Sequence, residues 1–157
     1  MDVYAAYCVD EDIRLKSSSG GMITILAEHV LDQGGVVYGV AMSDDCYAAE
    51  FIRVTDRNGL EKIRGSKYLQ AKVGDTFRRV KEDLESGRTV LFTGTGCQVN
   101  GVKAYLGKSY EKLYCVDVIC HGAPSPELWR EYVEFREREY SLSLIHISEP
   151  TRPLYIS

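Results

Sequence analysis

Residues 89–107 read TVLFTGTGCQVNGVKAYLG, and the fold turns on how this stretch is read. Thr89 to Gly94 is an apolar run of β-forming residues, the pattern of a buried strand. It stops at Gly94 and Gly96, and Cys97 follows at once. Cys97 to Leu106 then reads as a short helix that ends before Gly107. A strand that hands over to a helix through a glycine turn is the unit from which α/β sheets are built.

Working outward, the same alternation repeats. Leu113 to Cys120 (LYCVDVIC) reads as a second buried strand, and Pro124 and Pro126 make a turn before a long charged helix. On the amino-terminal side, Asp75 opens and Gly87 closes an amphipathic helix. Val36 to Met42 and Ala48 to Val54 read as strands, with Asp56 to Gly59 as a turn or helix start between the latter and a short helix. Met22, Ile23, Leu26, Ala27, Val30 and Leu31 mark a helix that a preceding serine can cap and that Gly34 and Gly35 end. Val3 to Val9 (VYAAYCV) reads as a further short strand. The expected fold is α/β, a mixed, largely parallel sheet with flanking helices, in one domain over residues 1–140. Ligands of such sheets bind beyond the carboxyl ends of the strands. Three polar loops are expected to meet there: Ser17 to Gly21, Gly94 to Cys97, and Cys120 to Ser125.

The bulk numbers narrow the function. A net charge of −4 disfavours general nucleic-acid binding. No apolar run approaches the ~20 residues of a membrane span, and no signal-peptide pattern opens the chain. The expectation is a cytoplasmic protein. Five cysteines without a CxxC pair argue against both a disulfide framework and a zinc ribbon.

The loops carry the candidate chemistry. Small residues and open backbone N–H groups at SSSGG (Ser17 to Gly21), ahead of a helix, suit an anion or a plain helix cap. GTGCQVNG nearly matches two phosphate loops and fits neither. The dinucleotide fingerprint needs glycine where Val99 stands, and the Walker loop needs lysine where Val102 stands. RGSKYLQ (Arg64 to Gln70) sets two cations around a flexible Gly-Ser pair, either for a phosphate or an anionic ring or as a solvated surface loop. At a helix start, Cys97 sits where the dipole favours a thiolate. Cys120 ends the next strand, so the two sulfurs can meet at one rim and hold a soft metal centre. Two buried structural cysteines remain the plainer alternative. Cys115 reads as core, and Cys8 and Cys46 have no distinguishing context. A nucleophilic Cys97 served by His121 and oriented by Asp117 is a weaker alternative.

Four segments in order, SSSGG, RGSKYLQ, VLFTGTGCQ and DVICHGAPSPELW, resemble the coenzyme F420 hydrogenase/dehydrogenase β-subunit family. The resemblance runs from Tyr4 to Tyr140. It implies a flavin- and iron–sulfur-dependent oxidoreductase subunit that passes electrons between a 4Fe–4S cluster, FAD and a deazaflavin such as coenzyme F420, or an unknown acceptor. It implies Cys97 and Cys120 as cluster ligands, and Ser18, Ser19, Gly20, Gly21, Lys67, Gly94 and Thr95 as flavin-binding residues. A ferredoxin-like domain or subunit and a redox partner enzyme are the implied partners. A Cys97 transferase or hydrolase, or a non-catalytic docking module in polysaccharide synthesis, are the alternatives. The chain departs from the family pattern at Gly96, where a proline is usual, and at Val99-Asn100, where small apolar residues are usual.

The end of the chain breaks the pattern. Leu142 to Arg152 (LSLIHISEPTR) is what one frame of a sequencing-adapter-like DNA encodes, so residues 141–157 are expected to be a non-native tail. On that expectation, the native protein is cut near Tyr140, and the further cluster cysteines of the family lie in the part that is lost.

Overall fold

Three parallel-running strands and one antiparallel neighbour form the centre of the protein. The computed structural model describes residues 2–140, and the expected tail lies outside the described residues. The order of elements is α1 (Glu11–Leu15), α2 (Met22–Asp32), β1 (Val36–Met42), β2 (Ala49–Val54), α3 (Arg57–Ile63), α4 (Thr76–Glu85), β3 (Val90–Thr95), α5 (Gly96–Leu106), β4 (Leu113–Val118) and α6 (Pro126–Tyr140). The sheet order is β2-β1-β3-β4. The β1–β2 pair is antiparallel, and the β1–β3 and β3–β4 pairs are parallel. The fold is therefore α/β with a mixed, mostly parallel sheet and flanking helices.

The period-two alternation of the strands decides which helices cover which face. Val36, Tyr38, Val90 and Phe92 point to one side and pack with Val80 and Leu84 of α4 and Val99, Val102 and Leu106 of α5. Val37, Ala41 and Leu91 point to the other side and meet Ala27 and Val30 of α2 and Leu60 and Ile63 of α3. Each such side chain taken fully from water contributes about 1.5–3 kcal/mol. Gly39 keeps α3 close, since a Cβ there would lie 2.8 Å from Ile63 Cδ1.

Three sequence expectations are corrected. Val3 to Val9 forms no strand; its Cys8 N–H donates to Gly20 O at 2.5 Å, so the segment is tied to a loop and has no strand partner. No serine caps α2. Its cap residue is Gly21 at φ 79°, a left-handed turn that suits glycine. Ser17 Oγ donates instead to Ile13 O at 2.7 Å, and Ser18 Oγ accepts the Ser66 N–H at 2.6 Å. The buried stripe of α2 is Thr24, Ala27 and Val30, so Leu26 and Ile25 face outward. Finally, β4 is an edge strand and not a buried one, with Tyr114 and Val118 exposed.

Long-range polar contacts dock α6. Trp129 Nε1 donates to Cys46 O at 2.8 Å, and Tyr47 Oη donates to Glu137 Oε2 at 2.8 Å. Both reach the turn between β1 and β2, and Val133 is fully buried on the same side of the helix. No helix among the described residues is long and apolar enough to cross a membrane.

Candidate functional site at the carboxyl end of the sheet

The three expected loops all fall at the carboxyl ends of the parallel strands. α2 leads into β1, so the turn before α2 lies at the end where β1 finishes. The turn from β3 into α5 and the residues after β4 lie at the same end. Two hydrogen bonds join the loops through RGSKYLQ. The Ser66 N–H donates to Ser18 Oγ at 2.6 Å, and the Gln70 N–H donates to Pro124 O at 3.2 Å. Arg64 adds a third link, with Nε 3.4 Å from Thr24 Oγ1 in the first turn of α2.

The cysteine pair follows from the sheet register. Thr95 is paired with Val118, the last residues of β3 and β4. Cys97 stands two residues beyond the first and Cys120 two beyond the second, so both leave the same rim from neighbouring strands. Both cysteines are exposed. Each sulfur already has a polar neighbour: Thr95 Oγ1 lies 3.1 Å from Cys97 Sγ, and the Gly122 N–H donates to Cys120 Sγ at 3.4 Å. As a donor set for a cluster, the rim offers two thiols. Among the described residues, no group of three or more His, Cys, Asp or Glu is placed to hold a metal ion. A four-thiolate cluster therefore fits here only with ligands from beyond residues 2–140.

The remaining candidates divide. Ser18 and Ser19 are exposed on the loop surface, and Ser18 is the contact to Ser66. Gly20 is packed, not open: a Cβ there would sit 2.9 Å from Ala6 O and 3.2 Å from Tyr7 Cβ. Gly94 is buried and covered too, with Gln98 Oε1 2.9 Å and Phe51 Cζ 3.4 Å from an added Cβ. Gln98 is held there because its Oε1 also accepts the Thr95 N–H at 2.9 Å. The more open glycine is Gly96, where the nearest atom to an added Cβ is Asp117 Oδ2 at 3.5 Å. Lys67 turns back on its own chain, donating to Lys62 O, Arg64 O and Gly65 O at 3.1, 2.6 and 3.0 Å. It thus holds carbonyls at and just beyond the end of α3. Burial pulls its ammonium down to about 8. Among the described residues, Cys97 makes no hydrogen bond to His121, and its partner is the Thr95 hydroxyl. Cys115 packs half-buried against the α4–α5 core, and burial pushes its thiol up.

One polar cluster was not foreseen in the sequence. At the amino end of the strands, Asp83 of α4 accepts from Arg53 Nε at 2.7 Å, Arg53 Nη2 at 2.8 Å and Tyr38 Oη at 2.6 Å. Arg79, Glu82, Ser86 and Arg88 line the shallow pocket around it. Arg53 and Asp83 are 30 residues apart, and no local spacing signals such a pair.

Comparison with known proteins defines the class. The family model described as "Coenzyme F420 hydrogenase/dehydrogenase, beta subunit N-term" matches residues 3–77, and its counterpart for the carboxyl terminus of the same β-subunit matches residues 87–147. Together the two take in most of the chain, and the chain belongs to this β-subunit family. Among individual relatives, it is similar to a coenzyme F420-dependent sulfite reductase of Methanocaldococcus jannaschii. The two are 24% identical over 111 residues, covering 70% of this chain and 17% of that protein. The fold resembles a chain in the F420-reducing [NiFe] hydrogenase complex from Methanosarcina barkeri, with TM-score 0.67 and 24% identity over 88% of this chain and 49% of that one. The chain thus spans about half of that structural relative and less of the curated one.

Proposed function

We propose that this chain is part of an electron-transfer oxidoreductase subunit that binds FAD at the carboxyl end of its sheet and contributes Cys97 and Cys120 to a 4Fe–4S cluster. The observation that carries the reading is the junction of the loops. Ser66 to Ser18 and Gln70 to Pro124 tie the SSSGG, RGSKYLQ and CHGAPSP segments into one surface. The two exposed cysteines leave that same end of the sheet.

No side chain caps the first turn of α2; Gly21 itself is buried against Cys8 and Ile13, so the Met22 and Ile23 N–H groups beyond it would receive the phosphates of a dinucleotide. Ser18 and Ser19 add hydroxyls at the mouth of that turn. Lys67 acts one step back: by holding the carbonyls after α3, it sets where Ser66 meets Ser18. Thr95 and the Gly122 N–H hold the two sulfurs in place and supply hydrogen bonds of the kind that tune cluster potentials. A bound flavin supplies exchange between hydride and single electrons, and the protein supplies orientation and charge. A deazaflavin such as coenzyme F420 fits the reading as the hydride partner, and a ferredoxin-like domain as the electron partner.

The test is anaerobic reconstitution of the full chain with FAD, and separately with iron and sulfide. Flavin absorbance retained after gel filtration supports the first half. A broad iron–sulfur absorbance that Cys97→Ser weakens and Cys115→Ser leaves intact supports the second. A chain that retains no flavin overturns the first half, and iron–sulfur absorbance that Cys97→Ser and Cys120→Ser leave unchanged overturns the second. Rapid alkylation of Cys97 with turnover of an acyl or glycosyl substrate would favour a thiol nucleophile instead.

A further inference from the structure

We propose that Tyr7, held by Arg14 beside the Gly20–Gly21 turn, is the stacking surface for a planar heteroaromatic ring bound at that turn. Three observations place it there. Cys8 is buried and its N–H is bonded to Gly20 O, so the backbone next to Tyr7 is pinned to the turn. Gly20 lacks a Cβ at the one point where a Cβ would strike Tyr7, 3.1 Å from its Cα and 3.2 Å from its own Cβ. Arg14 closes the arrangement from α1. Its Nη1 donates to Cys8 O at 2.8 Å, and its Cζ lies 5.5 Å from the centre of the Tyr7 ring.

The backbone at Cys8, next to Tyr7, is anchored, while the Tyr7 residue is 67% exposed. The ring is thus oriented and open. Tyr4, three residues earlier, is 84% exposed and has no such anchor among the contacts of its segment. The cation beside Tyr7 adds a second element of recognition. A guanidinium next to an aromatic surface favours a ring that carries negative charge, as reduced flavins and deazaflavins do. The recognition would come from Tyr7 and from Arg14 of α1 together. The ligand class follows: a flat, electron-poor or anionic ring whose phosphate arm reaches the start of α2.

This inference rests on the flavin reading of the Ser18–Gly21 turn, and its test keeps the two apart. FAD is titrated into the full chain and into Tyr7→Phe, Tyr7→Ala and Tyr4→Phe, with flavin fluorescence and equilibrium dialysis read in parallel. A phenol stacked on an excited flavin donates an electron to it and quenches its emission; a phenyl ring does so far less. The expected result is strong quenching in the wild type and in Tyr4→Phe. Tyr7→Phe keeps the affinity but regains emission. Tyr7→Ala loses affinity by roughly five- to hundredfold, the range found when a stacking aromatic is removed. Circular dichroism unchanged in Tyr7→Ala shows that the exposed ring was not holding the fold. If wild type and both Tyr7 variants bind with equal affinity and equal quenching, this proposal falls and the flavin reading stands. If the wild type takes up no FAD, both fall.

Discussion

Replacing Asp83 by asparagine should unlock the amino end of the sheet. Asp83 receives three hydrogen bonds, two from Arg53 of β2 and one from Tyr38 of β1, and Arg88 lies 3.7 Å away. Its side chain is 12% exposed and that of Arg53 28% exposed. Removing one partner of a buried pair costs ~3–5 kcal/mol, because the other charge is left without its acceptor. Arg53 can reach some water, so the lower end applies, about 3 kcal/mol. For a domain of this size that is a fall in Tm of roughly 6–12 °C. Acid should have the same effect. Burial alone raises the Asp83 carboxyl, but the hydrogen bonds from Arg53 and Tyr38 and the nearby guanidinium charges outweigh it, holding the carboxyl below its ordinary value. The unfolded chain therefore takes up this proton first as pH falls. The stabilisation is complete above the ordinary carboxylate range and is lost as pH drops through the lowered folded value. Urea unfolding followed by circular dichroism, at neutral pH and through the acid range, reads both effects. Asp83→Leu combined with Arg53→Met removes both charges and should recover most of the loss. A loss below about 1 kcal/mol in Asp83→Asn, with an unchanged acid profile, would refute the reasoning.

Two further outcomes follow from the same structure. Alkylation of the native protein should modify Cys97 and Cys120 first and Cys8 last, since the former are exposed and Cys8 is buried; mass spectrometry of partly labelled chains gives the order. Lys67→Met should flatten the alkaline side of the stability profile. Burial pulls the folded ammonium down to about 8, whereas the unfolded group titrates near ~10.4, so the unfolded chain binds more protons between those values. Stability of the wild type therefore rises with pH across that window, and the variant lacks this rise in urea midpoints.

Much of the architecture was legible because each element carries its own pattern. Val36–Met42 follows a glycine pair and Val90–Thr95 runs into Gly96, and both apolar runs are strands buried at the centre of the sheet. The readings that failed needed knowledge of neighbours. LYCVDVIC has the composition of a buried strand, but an apolar run does not reveal whether one or two strands flank it, and β4 has one. VYAAYCV has strand composition too, yet its Cys8 N–H is taken by Gly20 O. α1 carries its own signal in the sequence: Asp10 Oδ1 accepts the N–H groups of Asp12 and Ile13, an acidic cap before an acidic first turn. At the site, the loops were legible as glycine- and serine-rich punctuation. The bonds that join them were not. Gln70 N–H to Pro124 O is a backbone contact across 54 positions, and a backbone donor looks the same at every residue.

The two ends of the sheet are held by different means, and the difference bears on function. The amino end is fastened by a partly buried charged pair with three short hydrogen bonds. The carboxyl end is joined by single hydrogen bonds between loops, one of them to the exposed hydroxyl of Ser18. Local opening is easiest where few buried contacts oppose it, and binding regions are drawn from such parts. A ligand that touches two of these loops at once would therefore stabilise them beyond its own contacts. At a hundredfold excess over its Kd it would add about 2.7 kcal/mol to the folded state. Gly94 and Gly96 show the same division within one turn. Gly94 is filled by Gln98 and Phe51 and fixes where α5 begins, while Gly96, two residues on, leaves the backbone open beside Cys97. The turn is rigid on its core side and accessible on its solvent side, which is what a cysteine needs in order to be presented without being mobile.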